Sequence, residues 1–402
     1  MTVEIVAGKA RGTVSAPPSK SMAHRYLIAA ALAKGVSVVR GIAYSQDILA
    51  TIDCLRALGV EINVDGDAVT VKGGCPLVPR APLCCRESGS TLRFLVPLCW
   101  LSNEQAILKG SPRLMERPLN IYEQLAKEKG FSLHRENGEV ITQGRLTVGE
   151  YTVDGSVSSQ FVTGLIFALL TLKGESRIRL IGKVESRSYI DLTLDALRTF
   201  GFFAEWAEET LLVLRGGEGV PQDLMVEGDF SNAAFLEALT LLGGQVQVQG
   251  LKETSLQGDR VYRPYFEALR TGTPTLSLAD CPDLGPILFA VAAALNGGVF
   301  TDTARLKIKE SDRGAAMAEE LQKCGVTLLM EENRITVPAG QLKAPEVPVN
   351  GHNDHRIVMA MAVLLTRLGG AIEGAEAVAK SMPDFFEKLS SLGIEVKGNE
   401  VK

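Results

Sequence analysis

The amino-acid sequence predicts an α/β protein with two similar domains, each made of three copies of one α/β unit. The chain has 402 residues, too many for one ordinary hydrophobic core, so two domains of roughly 200 residues are expected. Six times the chain passes through a short polar segment, an apolar helix-like stretch and a β-rich segment. Markers in the polar segments lie 69, 70, 73, 52 and 71 residues apart, and such regular spacing indicates internal repeats. The markers are Ser19, Ser88, Ser158, Ser231, Asp283 and Asp354.

Each copy is expected to open with a capped helix that is buried on all sides. Ser, Asp or Asn in the polar segment can accept hydrogen bonds from free N–H groups of the first helical turn. The stretch that follows is apolar nearly all round, which is typical of a helix without a solvent face. In five copies a glycine stands where a left-handed cap would end the helix: Gly35, Gly174, Gly244, Gly298 and Gly370.

A strand, a second helix and a short hairpin are expected to complete each copy. Strand-like segments follow the first helix, as at 37–45 and 298–308. The second helices are more amphipathic, and they include 47–59, 190–201, 315–325 and 384–393. Hairpin sequences follow at 60–73 and 326–340. Three copies fill a domain of roughly 210 residues, so we place the domain boundary near Val226, although no Pro/Gly/Ser-rich linker marks it.

Composition narrows the class of protein. The chain is 46% apolar and 22% charged, as expected for a folded globular protein. Its first residues lack the apolar core of a secretion signal, and no apolar run reaches the ~18 residues of a membrane span. Seven cysteines without paired metal-type spacing predict reduced thiols and a cytoplasmic protein. A net charge of −5 argues against nucleic acid as the partner.

Positive charge is concentrated at the openings of the repeats, although the protein is acidic. Any single Lys or Arg is usually solvated, but here the cations accompany the polar caps of buried helices. Free N–H groups and the positive end of a helix dipole favour anions, so we predict a site for phosphate and carboxylate groups. Ser158, Ser159 and Gln160 offer more donors than one cap needs. The cations are Lys20, Arg25, Arg93, Arg113, Arg117, Lys307, Lys309, Arg313, Arg356 and Lys380.

Two carboxylates lie among these cations and are candidates for acid–base chemistry. Asp283 opens the fifth apolar helix, and Glu310 is next to Lys309. Either residue alone is more often a helix cap or an ion-pair partner. The four histidines show no metal-ligand spacing, so no metal is predicted.

Ten segments spread over nearly the whole chain carry a set of short motifs: 19–25, 87–94, 112–118, 155–161, 188–194, 226–229, 282–286, 307–313, 353–356 and 380–389. In their order and spacing they resemble the signature motifs of the 5-enolpyruvylshikimate-3-phosphate (EPSP) synthase family. The resemblance implies two domains, each a threefold βαβαββ repeat with buried parallel helices, in the inside-out barrel of the enolpyruvyl transferases. It implies an N-terminal domain at 14–226, mainly for shikimate 3-phosphate. A second domain at 1–13 and 227–402 would hold much of the phosphoenolpyruvate site, with the active site in the cleft between them.

The family resemblance also implies an activity. Enolpyruvyl would pass from phosphoenolpyruvate to the 5-hydroxyl of shikimate 3-phosphate by addition–elimination, releasing phosphate, in the shikimate pathway to chorismate and aromatic amino acids. No cofactor is implied, and we expect a monomer that closes its domains on small-molecule substrates, without nucleic acid or membrane partners.

Individual residues receive roles through the resemblance alone. Asp283 is the expected base at the shikimate hydroxyl, and Glu310 or Lys20 is the expected proton donor. The residues expected to bind shikimate 3-phosphate are Lys20, Ser21, Arg25, Ser158, Ser159, Gln160, Ser186, Asp283 and Lys309. Those expected to bind phosphoenolpyruvate are Lys20, Gly89, Arg117, Gln160, Arg313, Arg356 and Lys380.

Three other interpretations remain open from the sequence. A UDP-N-acetylglucosamine enolpyruvyl transferase would share the chemistry, but its mobile loop carries a Cys, and the loop at 111–118 has none. A non-catalytic sensor of a phosphorylated metabolite would not need Lys20, Asp283 and Glu310. An RNA-end-processing relative would need a basic surface, whereas the pI is about 5.6.

Overall fold

The computed structural model describes residues 1–398 and divides the chain into two compact units. The insert unit is Pro18–Glu227, and the terminal unit joins Met1–Pro17 to the chain from Gly228 onward. The first division falls after the expected residue 13, because strand Arg11–Ser15 pairs in parallel with strand Gln245–Gln249 of the terminal unit. Each unit has its own buried apolar cluster, and each fully buried Leu or Phe contributes about 1.5–3 kcal/mol.

The terminal unit begins with β1 (Thr2–Ile5) and β2 (Arg11–Ser15). The insert unit then contains α1 (Lys20–Leu32), β3 (Gly35–Arg40), α2 (Gln46–Ala57), β4 (Glu61–Asp65), β5 (Ala68–Gly73), β6 (Leu83–Cys84), α3 (Gly89–Cys99), β7 (Ala106–Lys109), α4 (Pro112–Glu116), α5 (Asn120–Lys129), β8 (Ser132–Glu136), β9 (Glu139–Gln143), β10 (Glu150–Asp154), α6 (Ser159–Leu169), β11 (Glu175–Ile181), α7 (Arg187–Thr199), β12 (Phe203–Glu208), β13 (Leu211–Arg215) and β14 (Asp223–Met225).

The terminal unit resumes after this insert. Short 3-10 helices lie at Gly258–Val261, Pro282–Leu284, Ala304–Ile308 and Ala375–Lys380. The remaining elements are α8 (Phe230–Leu241), β15 (Gln245–Gln249), α9 (Tyr262–Thr271), β16 (Thr275–Ser277), α10 (Gly285–Ala294), β17 (Gly298–Thr301), α11 (Arg313–Lys323), β18 (Leu329–Glu331), β19 (Arg334–Val337), β20 (Val349–Asn350), α12 (His355–Leu368), β21 (Gly370–Glu373), α13 (Phe385–Ser391) and β22 (Val396–Gly398).

One sheet pattern recurs through the insert unit. Its sheets have the strand orders β14-β3-β5-β4, β6-β7-β9-β8 and β10-β11-β13-β12. In each sheet the first two strands are parallel and the remaining pairs are antiparallel. A parallel pair needs a crossover, and helices α3 and α6 supply it within the second and third copies. The first copy is completed by β14, from the other end of the unit.

The terminal unit repeats the pattern twice and shortens it once. Its four-stranded sheets have the orders β16-β17-β19-β18 and β20-β21-β1-β22, so the first strand of the chain completes the last copy. The third sheet, within residues 1–398, contains only β15 and β2. No strand lies between the end of α9 at Thr271 and the start of β16 at Thr275. This missing hairpin accounts for the spacing of 52 residues where the other copies have 69 to 73.

Most of the buried helices begin as the sequence predicts. Helices α1, α3, α6 and α12 are capped by the side chains of Ser19, Ser88, Ser158 and Asp354. The cap of α8 is Asp229 and not the marker Ser231, which lies inside the helix. Asp283 lies in a 3-10 turn before α10 and makes no cap hydrogen bond. The left-handed residues after α8 and α10 are Gly243 and Gly297, one position before the predicted glycines. Among residues 1–398, no helix has the length and apolar character needed to cross a membrane.

Candidate active site

In the insert unit, Lys20 is held by the carboxylate of Asp47, which no sequence motif indicates. Lys20 is the first residue of α1, and its Nζ lies 2.7 Å from Oδ2 of Asp47, near the start of α2. Both side chains are largely buried. The backbone carbonyl of Asp47 accepts a hydrogen bond from the Thr91 hydroxyl on α3. The N-terminal ends of α1, α2 and α3 are therefore joined in one polar network around an ammonium group.

Gln160 connects the beginnings of α3 and α6. Its Oε1 accepts a hydrogen bond of 2.7 Å from Nη1 of Arg93, and its Nε2 donates to the Ser90 hydroxyl at 2.9 Å. The Ser158 hydroxyl caps α6 by accepting from the N–H of Gln160. Ser159, also a predicted ligand, is buried as the first residue of α6. Three of the predicted donors thus lie at one helix end.

Gly89 and Arg117 are close neighbours, although 28 positions separate them in the sequence. A Cβ atom at Gly89 would lie within 3.0 Å of the Arg117 guanidinium. The absent side chain therefore lets this guanidinium approach the backbone at the start of α3. Arg117 is buried, whereas Arg113 in the same loop is exposed.

Arg25 holds α1 to α7. Its guanidinium donates to the carbonyls of Ser21 and Tyr189 and to the Thr193 hydroxyl, at 2.7 to 2.9 Å. Burial lowers the pKa of Arg25 to about 10, so the group is still charged at neutral pH. Ser186 precedes α7 in a left-handed conformation (φ 53°) and is buried. The predicted ligands Arg25 and Ser186 thus lie beside the same helix, and Ser21 lies one turn before Arg25.

His24 is a buried neutral side chain next to this network. Burial, together with the charges of Lys20 and Arg25, holds the pKa of His24 well below its usual range, and its Nδ1 lies 2.8 Å from the Thr51 hydroxyl. Unfolding would let this imidazole take up a proton below about pH 6.5. We therefore expect stability to fall as pH decreases from 6.5, by up to about 1.4 kcal/mol per pH unit. Thermal unfolding between pH 5 and 7 should show a flatter profile for His24→Gln, and the same slope as wild type for the control His134→Gln. An unchanged slope in His24→Gln would refute this assignment.

In the terminal unit, Arg313 is surrounded by three carboxylates. Its Nε donates to Asp354 at 2.9 Å, Nη1 to Asp283 at 2.7 Å and Nη2 to Glu310 at 2.8 Å. The Arg313 side chain is 1% exposed, and that of Asp354 is 0% exposed. Burial opposes charge on the guanidinium, but the three carboxylates outweigh it and hold the pKa of Arg313 well above its usual range. The sequence motifs predict Arg313 as a site residue, but they indicate Asp354 only as a helix cap.

Asp283 is in turn contacted by three cations. Its carboxylate lies 3.1 Å from Lys309, 2.7 Å from Arg313 and 3.7 Å from Arg356. Burial favours the neutral acid, but the charges of Lys309, Arg313 and Arg356 dominate and hold the pKa of Asp283 well below its usual range. Burial, followed by the charge of Arg313, lowers the pKa of Lys309. Asp283 is therefore an ionised carboxylate that balances a cluster of positive charge.

Arg356 and Lys380 complete the group in the terminal unit. Arg356 donates from Nη1 to Oδ1 of Asn232 at 3.0 Å, and Nδ2 of Asn232 donates to the Ser381 hydroxyl. Lys380 donates to the carbonyl of Asn353 at 2.5 Å. Asp283, Lys309, Glu310, Arg313, Arg356 and Lys380 thus lie in one connected network. Lys307, by contrast, is exposed.

The comparisons with known proteins agree with this chemistry. Residues 6–389 match the profile of EPSP synthase (3-phosphoshikimate 1-carboxyvinyltransferase). The chain belongs to the EPSP synthase family. Relatives in this family include the 3-phosphoshikimate 1-carboxyvinyltransferases of Clostridium kluyveri, 37% identical with 98% of each chain covered, and of Clostridium novyi, 35% identical with 97% of each covered.

Solved structures support the same family fold. One structure of EPSP synthase from Acinetobacter baumannii matches 99% of this chain and 100% of its own, with a TM-score of 0.77 and 24% identity. A second from the same organism matches all of both chains, with a TM-score of 0.78 and 22% identity. These structural matches confirm the α/β fold class predicted from the sequence.

Proposed function

We propose that the protein transfers the enolpyruvyl group of phosphoenolpyruvate to the 5-hydroxyl of shikimate 3-phosphate and releases phosphate. The predicted activity, that of a 3-phosphoshikimate 1-carboxyvinyltransferase, is supported by the family match over residues 6–389 and by the names of the relatives. The structural observation that carries the proposal is the ionised Asp283 among Lys309, Arg313 and Arg356. Such a cluster offers a base together with a dense anion-binding surface.

The two connected networks suggest a division of the substrates. In the insert unit, Arg25, the start of α6 and Ser186 offer hydrogen-bond donors for the phosphate and hydroxyls of shikimate 3-phosphate. Phosphoenolpyruvate has a phosphate and a carboxylate group. It would bind to Arg117 beside Gly89 and to the cations Arg313, Arg356 and Lys380. Lys20 and Gln160 would contact both substrates, and Asp283 and Lys309 would contact the shikimate.

The proton transfers follow from the charges. Phosphoenolpyruvate would draw Arg313 and Arg356 into new ion pairs, and shikimate 3-phosphate would engage Lys309, so the pKa of Asp283 would rise towards that of a useful base. Asp283 would then take the proton of the 5-hydroxyl, while the 5-oxygen of the shikimate bonds to C2 of phosphoenolpyruvate. A proton from Glu310 or Lys20 would be added to C3. In the elimination, C3 loses a proton, the C2–O bond to phosphate breaks, and the double bond re-forms.

All seven cysteines are free thiols, which supports a reducing, cytoplasmic location. We propose a monomer, because one chain carries both networks, and a reaction without a cofactor.

A phosphate-release assay with two acceptors tests the proposal. Enzyme and phosphoenolpyruvate should release phosphate when shikimate 3-phosphate is added, and not with UDP-N-acetylglucosamine. Release only with the UDP-sugar would assign the chain to the other enolpyruvyl transferase activity. Binding of both substrates without release would support the non-catalytic sensor.

A further inference from the structure

Glu320 is a buried carboxylate that none of the motifs includes. It lies on α11, two turns after Arg313, and its side chain is 0% exposed. Its Oε2 accepts hydrogen bonds of 2.8 Å from the backbone N–H of Asn350 and from Nζ of Lys323, and its Oε1 lies 2.7 Å from Nε2 of His352. The Glu320 carboxylate therefore contacts both the backbone of Asn350 and the ring of His352, in the segment 350–353 that precedes α12.

That segment has an unfavourable backbone conformation. His352 and Asn353 have φ values of 49° and 50°, in the left-handed region that costs most L-residues roughly 1–2 kcal/mol each. Two consecutive residues of this kind persist only where the surroundings fix them. Besides Glu320, the segment is held by hydrogen bonds from the N–H of Gly351 to Glu373 and from the N–H of Asp354 to Gly351.

The strained segment positions groups of the candidate active site. The carbonyl of Asn353 accepts from Nζ of Lys380. The next residue, Asp354, accepts from Arg313 and caps the helix that carries Arg356. Lys380 and Arg313 therefore contact residues 353 and 354, and Arg356 lies in the first helical turn after them. These are the three cations proposed to bind phosphoenolpyruvate within the terminal unit.

A metal centre is the alternative use of this cluster. Ligand atoms of Glu319, Glu320 and His352 all lie within 4.8 Å of one another. The ammonium group of Lys323 lies 2.8 Å from Glu320 and 4.0 Å from Glu319, so the protein supplies its own cation there. The hydrogen bonds to the backbone also indicate a role in holding the segment.

We propose that Glu320 is a positioning residue for phosphoenolpyruvate. By fixing the N–H of Asn350 and the ring of His352, it maintains the left-handed turn that places Lys380, Arg313 and Arg356. The inference rests on the proposed function, because it assumes that these cations bind phosphoenolpyruvate.

The pair Glu320→Gln and Glu319→Gln provides the test. Glu319 is the adjacent residue on the same helix, but its side chain is 60% exposed. Glu320→Gln retains the size and loses one acceptor oxygen with its charge. We expect the KM for phosphoenolpyruvate to rise about tenfold, while the KM for shikimate 3-phosphate changes less than about threefold. Glu319→Gln should match wild type in both constants.

Substitutions of His352 separate the loss of its contact with Glu320 from any change in the backbone strain at residue 352. His352→Asn keeps a residue that tolerates φ near 50° but is too short to reach Glu320. It should raise the KM for phosphoenolpyruvate several-fold, whereas His352→Gln, which can still donate to Glu320, should be closer to wild type. This series decides the question even if Glu320→Gln folds poorly.

The affinity for phosphoenolpyruvate, measured by calorimetry in the presence of shikimate 3-phosphate, tests the role of Glu320 without depending on turnover. Weaker phosphoenolpyruvate binding in Glu320→Gln and His352→Asn supports it, whether or not wild type turns over. Equal effects on both substrates, or lower melting temperatures with unchanged phosphoenolpyruvate affinity, would reduce Glu320 to a purely structural residue. Absence of turnover in wild type would instead count against the proposed function alone.

Discussion

Asp283→Ala is expected to retain substrate binding and to lose about 10²–10⁴-fold in kcat, the range typical of a positioned acid–base group. The carboxylate makes no helix cap hydrogen bond, so its removal should not unravel α10. It does neutralise part of the charge of Lys309, Arg313 and Arg356. With that neutralisation lost, Arg313 and Arg356 should bind phosphoenolpyruvate as well as in wild type or more tightly.

Steady-state kinetics and calorimetry on the same preparations check this expectation. Asp283→Asn tests the base without changing side-chain volume, and it should lose a comparable part of kcat. Asp280→Ala, three residues earlier and exposed, is the matched control and should behave like wild type. A kcat near wild type in Asp283→Ala would remove Asp283 from the mechanism.

Arg313→Met is expected to produce the largest loss of stability. Three carboxylates share this guanidinium, and Asp354 is fully buried with it. Removal of one partner of a buried ion pair typically costs about 3–5 kcal/mol, because the remaining charge is left uncompensated. For a unit of this size, such a loss lowers the melting temperature by roughly 6–20 °C.

Differential scanning calorimetry measures this effect directly. Arg334→Met, at the exposed first residue of β19, is the control and should shift the melting temperature by less than about 2 °C. Arg313→Lys should fall between the two, since one ammonium group cannot reproduce three directed contacts. A melting temperature for Arg313→Met equal to that of the control would mean that the network contributes nothing to stability.

The repeats were predictable because they depend on local physics. Each polar cap, apolar stretch or strand-like segment is formed by consecutive residues and can be recognised in the sequence. Helices α1, α3, α6 and α12 begin at or next to the predicted markers. The short spacing before Asp283 was visible in the sequence, but its cause was not. Only the strand pairing shows that a hairpin is missing from the fourth copy.

The partners of the site residues were not predictable in the same way. Lys20 pairs with Asp47 and Arg93 pairs with Gln160, at separations of 27 and 67 residues. Such contacts depend on how helices pack, and no pattern in one sequence specifies that packing. Glu320 was missed for the same reason, since a Glu in an amphipathic helix usually faces water. The resemblance named candidate ligands, but not the carboxylates and carbonyls that hold them.

Product analysis after reaction in D₂O tests the central claim most directly. Phosphoenolpyruvate, shikimate 3-phosphate and the enzyme are incubated, and the product is examined by NMR and mass spectrometry. Addition–elimination predicts an enolpyruvyl ether at the 5-oxygen, one phosphate released for each product molecule, and deuterium in the vinyl group. An unmodified shikimate 3-phosphate, or a product formed without deuterium at that carbon, would contradict the account.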